Sequence, residues 1–352
     1  MRVGALGSNS MLLKNIERII TSTGNFDDYV YAGTGSTANY IDLGGQSIED
    51  AVDYGALTSP ITANLATNTV TMTGRVDTLV GVEYLVAGQG NDSITGNASD
   101  NKLFGGDGLD TLVGAGGKDS LYGEGGGGVA NYAAYVGSTP ITATLISATS
   151  ATVYVSASDQ DSLYGMTAIT GGSGNDEFTL AAGTNCTGYT LDAGAGTGDR
   201  LNYGAWTQTG VTYDLSSATQ TVIASGIAQT LKGFEYYVTG TGDDSLYADT
   251  VAGTNNQFYM GTGNDLVSYA SVAATALTVT LDTGTVGNAT VRGVGTDSIT
   301  GAESIEGGGA SDTFVGFVAS GLALDGGAGT DWVSYSGTAT GVTVDLSASG
   351  KT

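Results

Sequence analysis

Short segments in which apolar and polar residues alternate recur along the whole chain. Glycine-rich stretches separate them, and valine, isoleucine, leucine, threonine and tyrosine dominate the alternating parts. Alternation with a period of two puts every second side chain on one face of a strand, and these residue types favour strands. The pattern predicts an all-β protein of many short strands, with clear examples in ITANL at 61–65, ITATL at 141–145, VTYDL at 211–215, LTVTL at 277–281 and VTVDL at 342–346.

A second, shorter period covers Leu85 to Val129. This stretch divides without a gap into five nine-residue blocks, LVAGQGNDS, ITGNASDNK, LFGGDGLDT, LVGAGGKDS and LYGEGGGGV. Each block opens with an apolar residue, and glycine-rich turns follow that carry aspartate at the eighth position in the first, third and fourth blocks. Repetition at a fixed period is typical of a solenoid, in which each repeat packs on its neighbours. If one block is half a coil, turns on the same side recur every second block.

A longer repeat underlies the nine-residue one. A phrase ending in tyrosine occurs as DAVDY at 50–54, DRLNY at 199–203, DLVSY at 265–269 and DWVSY at 331–335, with NYAAY at 131–135 as a degenerate copy. These phrases predict one continuous solenoid of unequal repeats, with a partial repeat at 1–49, whole repeats at 50–130, 131–198, 199–264 and 265–330, and a partial repeat at 331–352.

The sequence suggests how the two ends of the chain relate to this repeat. A segment of the type DTLVGVEYL at 77–85 returns as DSITGAESI at 297–305 and weakly as QTLKGFEYY at 229–237, and MLLKNIERII at 11–20 matches its phase. Joined head to tail, two copies would place Leu346 and Glu17 close to the internal spacing of the repeat. This favours protomers stacked into a filament or lattice. The alternative is that the chain is a segment of a longer array.

Composition limits the classes of partner. Acidic residues outnumber basic ones 35 to 10, which gives a net charge of −25. Nucleic acid and anionic membrane surfaces are therefore poor partners, because both need a basic footprint. There is no histidine, Cys186 has no second cysteine to pair with, and no apolar run approaches the roughly 18 residues of a membrane span. The first residues lack the apolar centre of a cleaved secretory signal, so an extracellular location requires another export route.

Two stretches of the chain resemble a known family. LFGGDGLDTLVGAGGKDS is similar to the glycine-rich nonapeptides of RTX (repeats-in-toxin, haemolysin-type calcium-binding) proteins, and GGAGTDWVSYSGTATGVTVDL resembles the longer units of large bacterial secreted proteins of that group. The resemblance implies a parallel β-roll or β-helix solenoid, calcium in the turns, type I secretion and an extracellular or bacterial cell-surface location.

The chemistry of the turns leads to the same ion. Glycine allows positive φ and leaves backbone carbonyls uncovered, and aspartate adds a charged oxygen. Calcium takes six to eight oxygens, so two stacked turns must share one ion. We expect the pairs Asp92/Asp110, Asp312/Asp331, Asp244/Asp265, Asp176/Asp199 and Asp27/Asp50, at separations of 18, 19, 21, 23 and 23 residues, to lie on one edge. On the other edge Asp119 faces Asn101. The alternative is that these aspartates only form Asx turns.

The full set of candidate calcium-site residues follows from these turns. It comprises Asp27, Asp50, Gly88, Gly90, Asp92, Gly105, Gly106, Gly108, Asp110, Gly114, Gly117, Asp119, Gly172, Gly174, Asp176, Gly194, Asp199, Gly240, Gly242, Asp244, Gly261, Gly263, Asp265, Gly308, Asp312, Gly326 and Asp331.

Other features give weaker signals. The repeat tyrosines favour a core or surface ladder over a carbohydrate-stacking row, and they are Tyr54, Tyr135, Tyr203, Tyr269 and Tyr335. No catalytic constellation is found, and the glycine-rich turns lack the Lys-Ser/Thr of a phosphate loop, so we expect no enzyme.

We therefore expect an extracellular calcium-binding structural protein that folds on calcium and assembles head to tail in a surface layer, matrix filament or adhesin stalk. Its main partner is itself, and cell-surface polysaccharide is a further candidate. The alternative is a calcium-dependent folding and secretion module of a larger enzyme, toxin or adhesin.

Overall fold

The computed structural model describes residues 16–21, 27–44, 49–135, 139–181, 188–207, 209–251, 253–282, 285–316 and 321–336. Cys186, the start of the MLLKNIERII segment and the strand expected at 342–346 lie outside these residues. The described chain divides into two compact units, one of residues 1–130 and 156–166 and the other of residues 131–155 and 167–352.

Short strands make up nearly all the regular structure of the described residues, which confirms the all-β prediction. The only other regular element described is one turn of 3-10 helix at Glu124–Gly126. The strands are β1 Arg18–Ile20, β2 Tyr29–Tyr31, β3 Tyr40–Asp42, β4 Ala51–Asp53, β5 Thr62–Asn64, β6 Thr69–Met72, β7 Arg75–Val80, β8 Tyr84–Val86, β9 Ser93–Thr95, β10 Lys102–Phe104, β11 Asp110–Val113, β12 Ser120–Tyr122, β13 Gly128–Asn131, β14 Thr142–Ser147, β15 Ser150–Ser156, β16 Asp159–Tyr164, β17 Ala168–Thr170, β18 Glu177–Leu180, β19 Thr190–Asp192, β20 Arg200–Asn202, β21 Val211–Asp214, β22 Gln220–Ala224, β23 Ile227–Lys232, β24 Tyr236–Val238, β25 Ser245–Tyr247, β26 Gln257–Tyr259, β27 Leu266–Ser268, β28 Thr278–Leu281, β29 Ala289–Arg292, β30 Thr296–Thr300, β31 Ser304–Glu306, β32 Thr313–Val315, β33 Ala323–Asp325 and β34 Trp332–Ser334.

In the first unit, strands of successive coils stack in parallel in two sheets. Sheet A runs β1, β3, β7, β6, β5, β9, β11 and β13, and sheet B runs β2, β4, β8, β10, β12 and β16. Within the nonapeptides, Leu85 pairs with Leu103, and Leu103 pairs with Leu121. Each of these steps is two nonapeptides long, so one nonapeptide is half a coil, and the predicted β-roll is confirmed.

The second unit is built in the same way. Its sheet A runs β17, β19, β23, β22, β21, β25, β27, β31 and β33. Its sheet B runs β15, β14, β18, β20, β24, β26, β30, β29, β28, β32 and β34.

The core of the nonapeptide stretch is a single file of aliphatic side chains from each sheet. The central residue of each short strand points inward, and Ile94, Leu103, Leu112 and Leu121 are all fully buried. Each stands directly over its counterpart in the next coil because the strands are parallel and in register. Glycine turns need little space, so the coils can stack at strand spacing.

Antiparallel meanders interrupt the parallel stacking once per long repeat. In the first unit, β5, β6 and β7 form such a meander, whose last strand pairs with the preceding coil and whose first strand pairs with the following one. In the second unit the meander of β21–β23 lies in sheet A and that of β28–β30 lies in sheet B. The meander changes sheets because each long repeat contains an odd number of half-coils.

Candidate calcium sites

Except for Asp27, which is exposed, and Asp331, which is half-buried, the aspartates of the predicted turns are buried at the start of a strand. In a strand, residues two apart share a face, so an aspartate two residues before a core residue also points inward. Asp92 precedes Ile94 in this way and Asp110 precedes Leu112, and the two aspartates are 2% and 0% exposed. The strand period thus forces a carboxylate into the interior at the end of every such turn.

The structure brings together both members of four predicted aspartate pairs. In each pair the backbone N–H of the first aspartate donates a hydrogen bond to Oδ1 of the second, across one coil. The distances are 2.8 Å for Asp92 to Asp110, 2.7 Å for Asp176 to Asp199, 2.8 Å for Asp244 to Asp265 and 2.8 Å for Asp312 to Asp331. Asn101 and Asp119 make the same contact at 2.6 Å.

Two details of the predicted pairing are wrong. Asp28, and not Asp27, donates its N–H to Asp50 Oδ1, at 2.8 Å, because Asp28 is the residue next to β2. The pairs also do not lie on one edge. In the second unit, Asp176/Asp199 and Asp312/Asp331 precede strands of sheet B, whereas Asp244/Asp265 precede strands of sheet A. The odd number of half-coils per repeat moves each successive pair to the opposite edge.

The two aspartates differ in their hydrogen bonding in three of the pairs. In the first aspartates Asp92, Asp176 and Asp312 both carboxylate oxygens accept backbone N–H groups, and those of Asp176 accept from Ile141 at 2.8 Å and from Gly172 at 2.7 Å. In Asp28 and Asp244, by contrast, Oδ2 is buried without a hydrogen-bond partner. In the second aspartate Oδ2 is buried. Among the described residues this oxygen has no hydrogen-bond partner in five such aspartates, Asp50, Asp110, Asp119, Asp199 and Asp265.

This burial raises the pKa of the five second aspartates named above. Desolvation is the main cause in each, and it raises the pKa of Asp110 to about 6 and that of Asp199 to about 7. Nearby carboxylates add to the effect, namely Asp92 beside Asp110 and Glu235 beside Asp199. Desolvation together with Asp161 raises the pKa of Asp119 to about 8. Near neutral pH these positions therefore favour a bound proton or a bound cation.

Backbone carbonyls of the first turn complete the surroundings. A Cβ on Gly106 would collide with the carbonyl oxygen of Gly88, and one on Gly108 would collide with that of Gly90. The same contact recurs between Gly194 and Gly172, Gly261 and Gly240, Gly263 and Gly242, and Gly327 and Gly308. On the second turn itself, a Cβ on Gly105 would collide with Oδ2 of Asp110. Glycine is thus required where one turn lies against the oxygens of another.

The remaining predicted glycines lie in the same turns. A Cβ on Gly114 would meet Oδ2 of Asp119, one on Gly326 would meet Oδ2 of Asp331, one on Gly117 would meet the backbone at Ser99, and one on Gly174 would meet the carbonyl of Thr139.

The donor set fits a hard cation held mostly by the backbone. Across the described residues, no three acidic side chains converge into a metal cluster. A cation between two turns would therefore be bound by glycine carbonyls and by one or two carboxylates. Calcium accepts such mixed oxygen ligands in flexible geometry.

Sequence reasoning missed a set of acids that cap several pairs. Glu235 Oε2 accepts the N–H of Asp199 at 2.9 Å, and Glu303 Oε2 accepts that of Asp265 at 2.9 Å. Glu83 is hydrogen-bonded to the backbone of Asp50 in the same way. All three belong to the DTLVGVEYL-type segments, so the recurring glutamate of those segments was the available signal.

Three of the five repeat tyrosines belong to the core, whereas Tyr135 and Tyr335 are half-buried. Tyr54, Tyr203 and Tyr269 are 0%, 1% and 0% exposed, which excludes an exposed sugar-stacking row at these positions. In the degenerate copy the buried residue is Tyr132, at 1% exposed, and not the predicted Tyr135. The Tyr132 carbonyl accepts the N–H of Tyr135, just as the Tyr54 carbonyl accepts the N–H of Leu57. The repeat phrase is therefore shifted by three residues in this copy.

Stacked parallel coils with glycine-aspartate turns define the protein as a β-solenoid of the β-roll type. The model of the RTX calcium-binding nonapeptide repeat matches residues 77–112 and 104–127. Residues 77–127 thus carry RTX nonapeptide repeats, and such repeats bind calcium. The comparison with curated proteins gave no match. RTX repeats are typical of secreted proteins, and the described residues form no helix long and apolar enough to cross a membrane.

Proposed function

We propose that this protein is an extracellular structural solenoid whose folding is driven by calcium bound between stacked turns. The observation that carries the proposal is the buried, unpartnered Oδ2 of the second aspartate in successive coils. A buried carboxylate oxygen without a partner is strongly unfavourable, and a cation between the turns removes that cost. A structural role follows from the repetition of one arrangement along the chain, without a catalytic group set apart from it.

The proposed ligands come from two consecutive coils. The site between the first two aspartate-bearing nonapeptides of sheet A would use Asp92, Asp110 and the carbonyls of Gly88 and Gly90. Equivalent sites would use Asp176/Asp199, Asp244/Asp265 and Asp312/Asp331, each with the glycine carbonyls of its own first turn. Further sites would use Asp28/Asp50 and Asn101/Asp119.

The expected energies make calcium a folding switch. Extracellular calcium modules bind with Kd values of roughly 10⁻⁴–10⁻³ M. At a concentration of about 100 times Kd, each site adds roughly 2.7 kcal/mol to the free energy of unfolding, and far below Kd it adds almost nothing. Several such sites would leave the chain loosely folded at cytosolic calcium and folded outside, which suits export as an unfolded chain.

A calcium titration followed by circular dichroism tests the folding proposal. We expect β-structure to appear cooperatively between chelator and millimolar calcium. Asp110→Asn should move the midpoint to higher calcium. Asp100→Asn should not move it, because Asp100 is exposed and its Oδ1 accepts only the N–H of Lys118. Full β-structure in chelator, or equal effects of the two variants, would overturn the proposal.

We further propose that copies of the chain stack head to tail. In the first unit, the Glu17 carbonyl accepts the N–H of Tyr40 at 2.7 Å, just as the Glu83 carbonyl accepts that of Lys102 at 2.8 Å. Glu17 therefore occupies the position of the capping glutamates. In the second unit, Val333 pairs in register with Phe314, yet Val333 is 47% exposed and Phe314 only 1%. An inward apolar position that is half exposed supports coverage by a further coil.

Sedimentation in calcium tests the assembly proposal separately from folding. We expect wild-type protein to form long assemblies in millimolar calcium and Val333→Lys to remain monomeric with its calcium-dependent β-structure intact. Tyr154→Lys is the matched control, because Tyr154 is 46% exposed but lies on β15, which pairs antiparallel with β14 and not with a following coil. If wild-type protein folds on calcium and stays monomeric at high concentration, head-to-tail stacking is wrong and the module of a larger secreted protein is favoured.

A further inference from the structure

The Arg75 side chain occupies an unusual place for a cation in this acidic protein. Arg75 is 6% exposed, and its Nη1 donates to the carbonyl oxygens of Gly33, at 2.6 Å, and Gly35. Its Nε donates to Oδ2 of Asp77 at 3.2 Å, and its Nη2 lies 3.0 Å from the same oxygen. One buried guanidinium thus joins a carboxylate and two carbonyls of a glycine turn.

These partners form a turn pair of the same type as the candidate calcium sites. Asn39 N–H donates to Oδ1 of Asp77 at 2.8 Å, as Asn101 N–H does to Oδ1 of Asp119. Asn39 directly precedes β3 and Asp77 lies in β7, its neighbour in sheet A. The two pairs differ at Oδ2, which is unpartnered in Asp119 but accepts hydrogen bonds from Arg75 and, at 3.0 Å, from the Tyr54 hydroxyl in Asp77.

We propose that Arg75 is a built-in cation that takes the place of calcium between the turn at 33–39 and Asp77. The coil of β3 and β7 then folds without the ion on which the other coils depend, an inference that rests on the proposed calcium function. A guanidinium suits this position because it is permanently charged and carries five donors in a fixed plane. It satisfies a carboxylate oxygen and two carbonyls together, which are the groups that a calcium ion would otherwise hold.

Equivalent positions in other repeats show that the arginine is particular to this coil. Asp161 and Asp297 correspond to Asp77, since each accepts the N–H of the residue at the same place in the preceding coil. Two residues before them stand Asp159 and Gly295 instead of Arg75. Where the guanidinium is missing, burial raises the pKa of Asp297 to about 6. The chain therefore contains matched turns with and without an internal cation.

Hydrogen exchange of the wild-type chain in chelator provides the first test. The amides of β3 and β7 should remain protected in chelator, while those of β9 and β11 exchange freely and become protected only when calcium is added. If the amides of β3 and β7 lose protection together with those of β9 and β11, the inference is overturned.

Two substitutions test the exchange of cations directly. Arg75→Ala should bind about one more Ca²⁺ per chain in equilibrium dialysis, and protection of β3 and β7 should become calcium-dependent. Asp159→Arg should do the reverse beside Asp161, with about one Ca²⁺ fewer and β12 protected in chelator. Arg200→Ala is the control, because that arginine is exposed and lies 3.8 Å from Glu177. Unchanged calcium counts, or a β3–β7 coil that no calcium concentration restores in Arg75→Ala, would overturn the inference.

The same dialysis separates the two proposals. If the wild-type chain binds no calcium, the proposed function fails. If it binds calcium and Asp110→Asn lowers the count while neither arginine substitution changes it, the calcium function stands and only the role of Arg75 fails.

Discussion

At the scale of single residues, the buried carboxylate of a second aspartate such as Asp110 can bind either a proton or, as proposed, a calcium ion. Its ordinary pKa is about 3.9, and burial raises the pKa of Asp110 to about 6 and that of Asp119 to about 8. Between the unfolded and the folded pKa, the calcium-free folded state binds more protons than the unfolded state. Its stability therefore falls as pH rises through this window.

We accordingly expect acid to substitute in part for calcium. In chelator, the fraction of folded chain should be larger at a pH of about 5 than at a pH of about 8, because the buried carboxyls are then protonated. Asp119→Asn should flatten this dependence, since its amide is neutral throughout. Circular dichroism across this pH range in chelator is the measurement, and a folded fraction that rises with pH would contradict the argument.

At the scale of the turn, glycine is needed for two reasons, a positive φ and the close approach of a neighbouring coil, and two positions in the chain distinguish them. Gly108 has a φ of +136°, and a Cβ there would also collide with the Gly90 carbonyl. Gly74, in a meander hairpin, has a φ of +82° but open space around it. The first position combines an unfavourable backbone conformation with close approach of the next coil, whereas the second has the unfavourable conformation alone.

Alanine at these two glycines should therefore have unequal effects. We expect Gly74→Ala to lower the free energy of unfolding by about 1 kcal/mol and Gly108→Ala to lower it by about 3 kcal/mol or more. Only Gly108→Ala should also raise the calcium needed for folding, because it displaces a proposed ligand turn. Urea unfolding in saturating calcium, with a calcium titration of each variant, measures both. Equal losses would show that the turns do not stack as closely as described.

At the scale of the sheet, a row of aromatic rings runs across the outer face of sheet B in the first unit. Tyr84, Phe104, Tyr122 and Tyr164 stack with centroid distances of 4.7, 4.2 and 4.7 Å and interplanar angles of 24°, 4° and 14°. Their faces cover one another, so the rings present edges to solvent and not the flat surfaces on which sugars stack. The row therefore stabilises the stack of coils.

Removal of a central ring should weaken the first unit. Tyr122 stacks on both sides, so Tyr122→Ala should lower the free energy of unfolding by about 2–3 kcal/mol in calcium. Tyr247→Ala is the control, because Tyr247 is 39% exposed and lies outside the row, and it should cost less than about 0.5 kcal/mol. Urea unfolding of the two variants measures these losses of free energy. Similar losses would mean that a ring in the row contributes no more than an ordinary exposed tyrosine.

At the scale of the whole molecule, a net charge of −25 raises the question of whether calcium acts only by screening. Screening depends on ionic strength and not on the identity of the cation. A site of carbonyls and carboxylates in irregular geometry distinguishes between cations, because magnesium demands a near-ideal octahedron and loses its water reluctantly. The buried oxygens of the stacked turns therefore favour specific binding of calcium over screening of charge.

Neither magnesium nor concentrated sodium chloride should therefore replace calcium. We expect both to leave the calcium-free chain with little added β-structure, whereas calcium at the same magnesium concentration should fold it. Parallel circular dichroism titrations with the three salts are the measurement. Folding in sodium chloride alone would show that charge repulsion, and not an empty binding site, keeps the chain unfolded.

The sequence by itself determined the fold class, the half-coil length and the partners of most aspartates. These properties depend on short-range periodicity: alternation fixes the strand face, and the nine-residue frame fixes which turns lie over each other. The frame failed where it degenerates, at Asp27 and Tyr135, because a local shift of one or three residues leaves composition unchanged.

Only the tertiary structure decided which edge carries each pair and which oxygens remain unsatisfied. The edge depends on counting half-coils through the meanders, whose antiparallel strands look like any other alternating segment in the sequence. The two aspartates differ because Oδ2 of a first aspartate such as Asp176 accepts the N–H of Gly172 in its own turn, whereas Oδ2 of Asp199 has no such partner. Arg75 is brought to the turn at 33–35 by the pairing of β3 with β7, a contact between distant residues that no local pattern encodes.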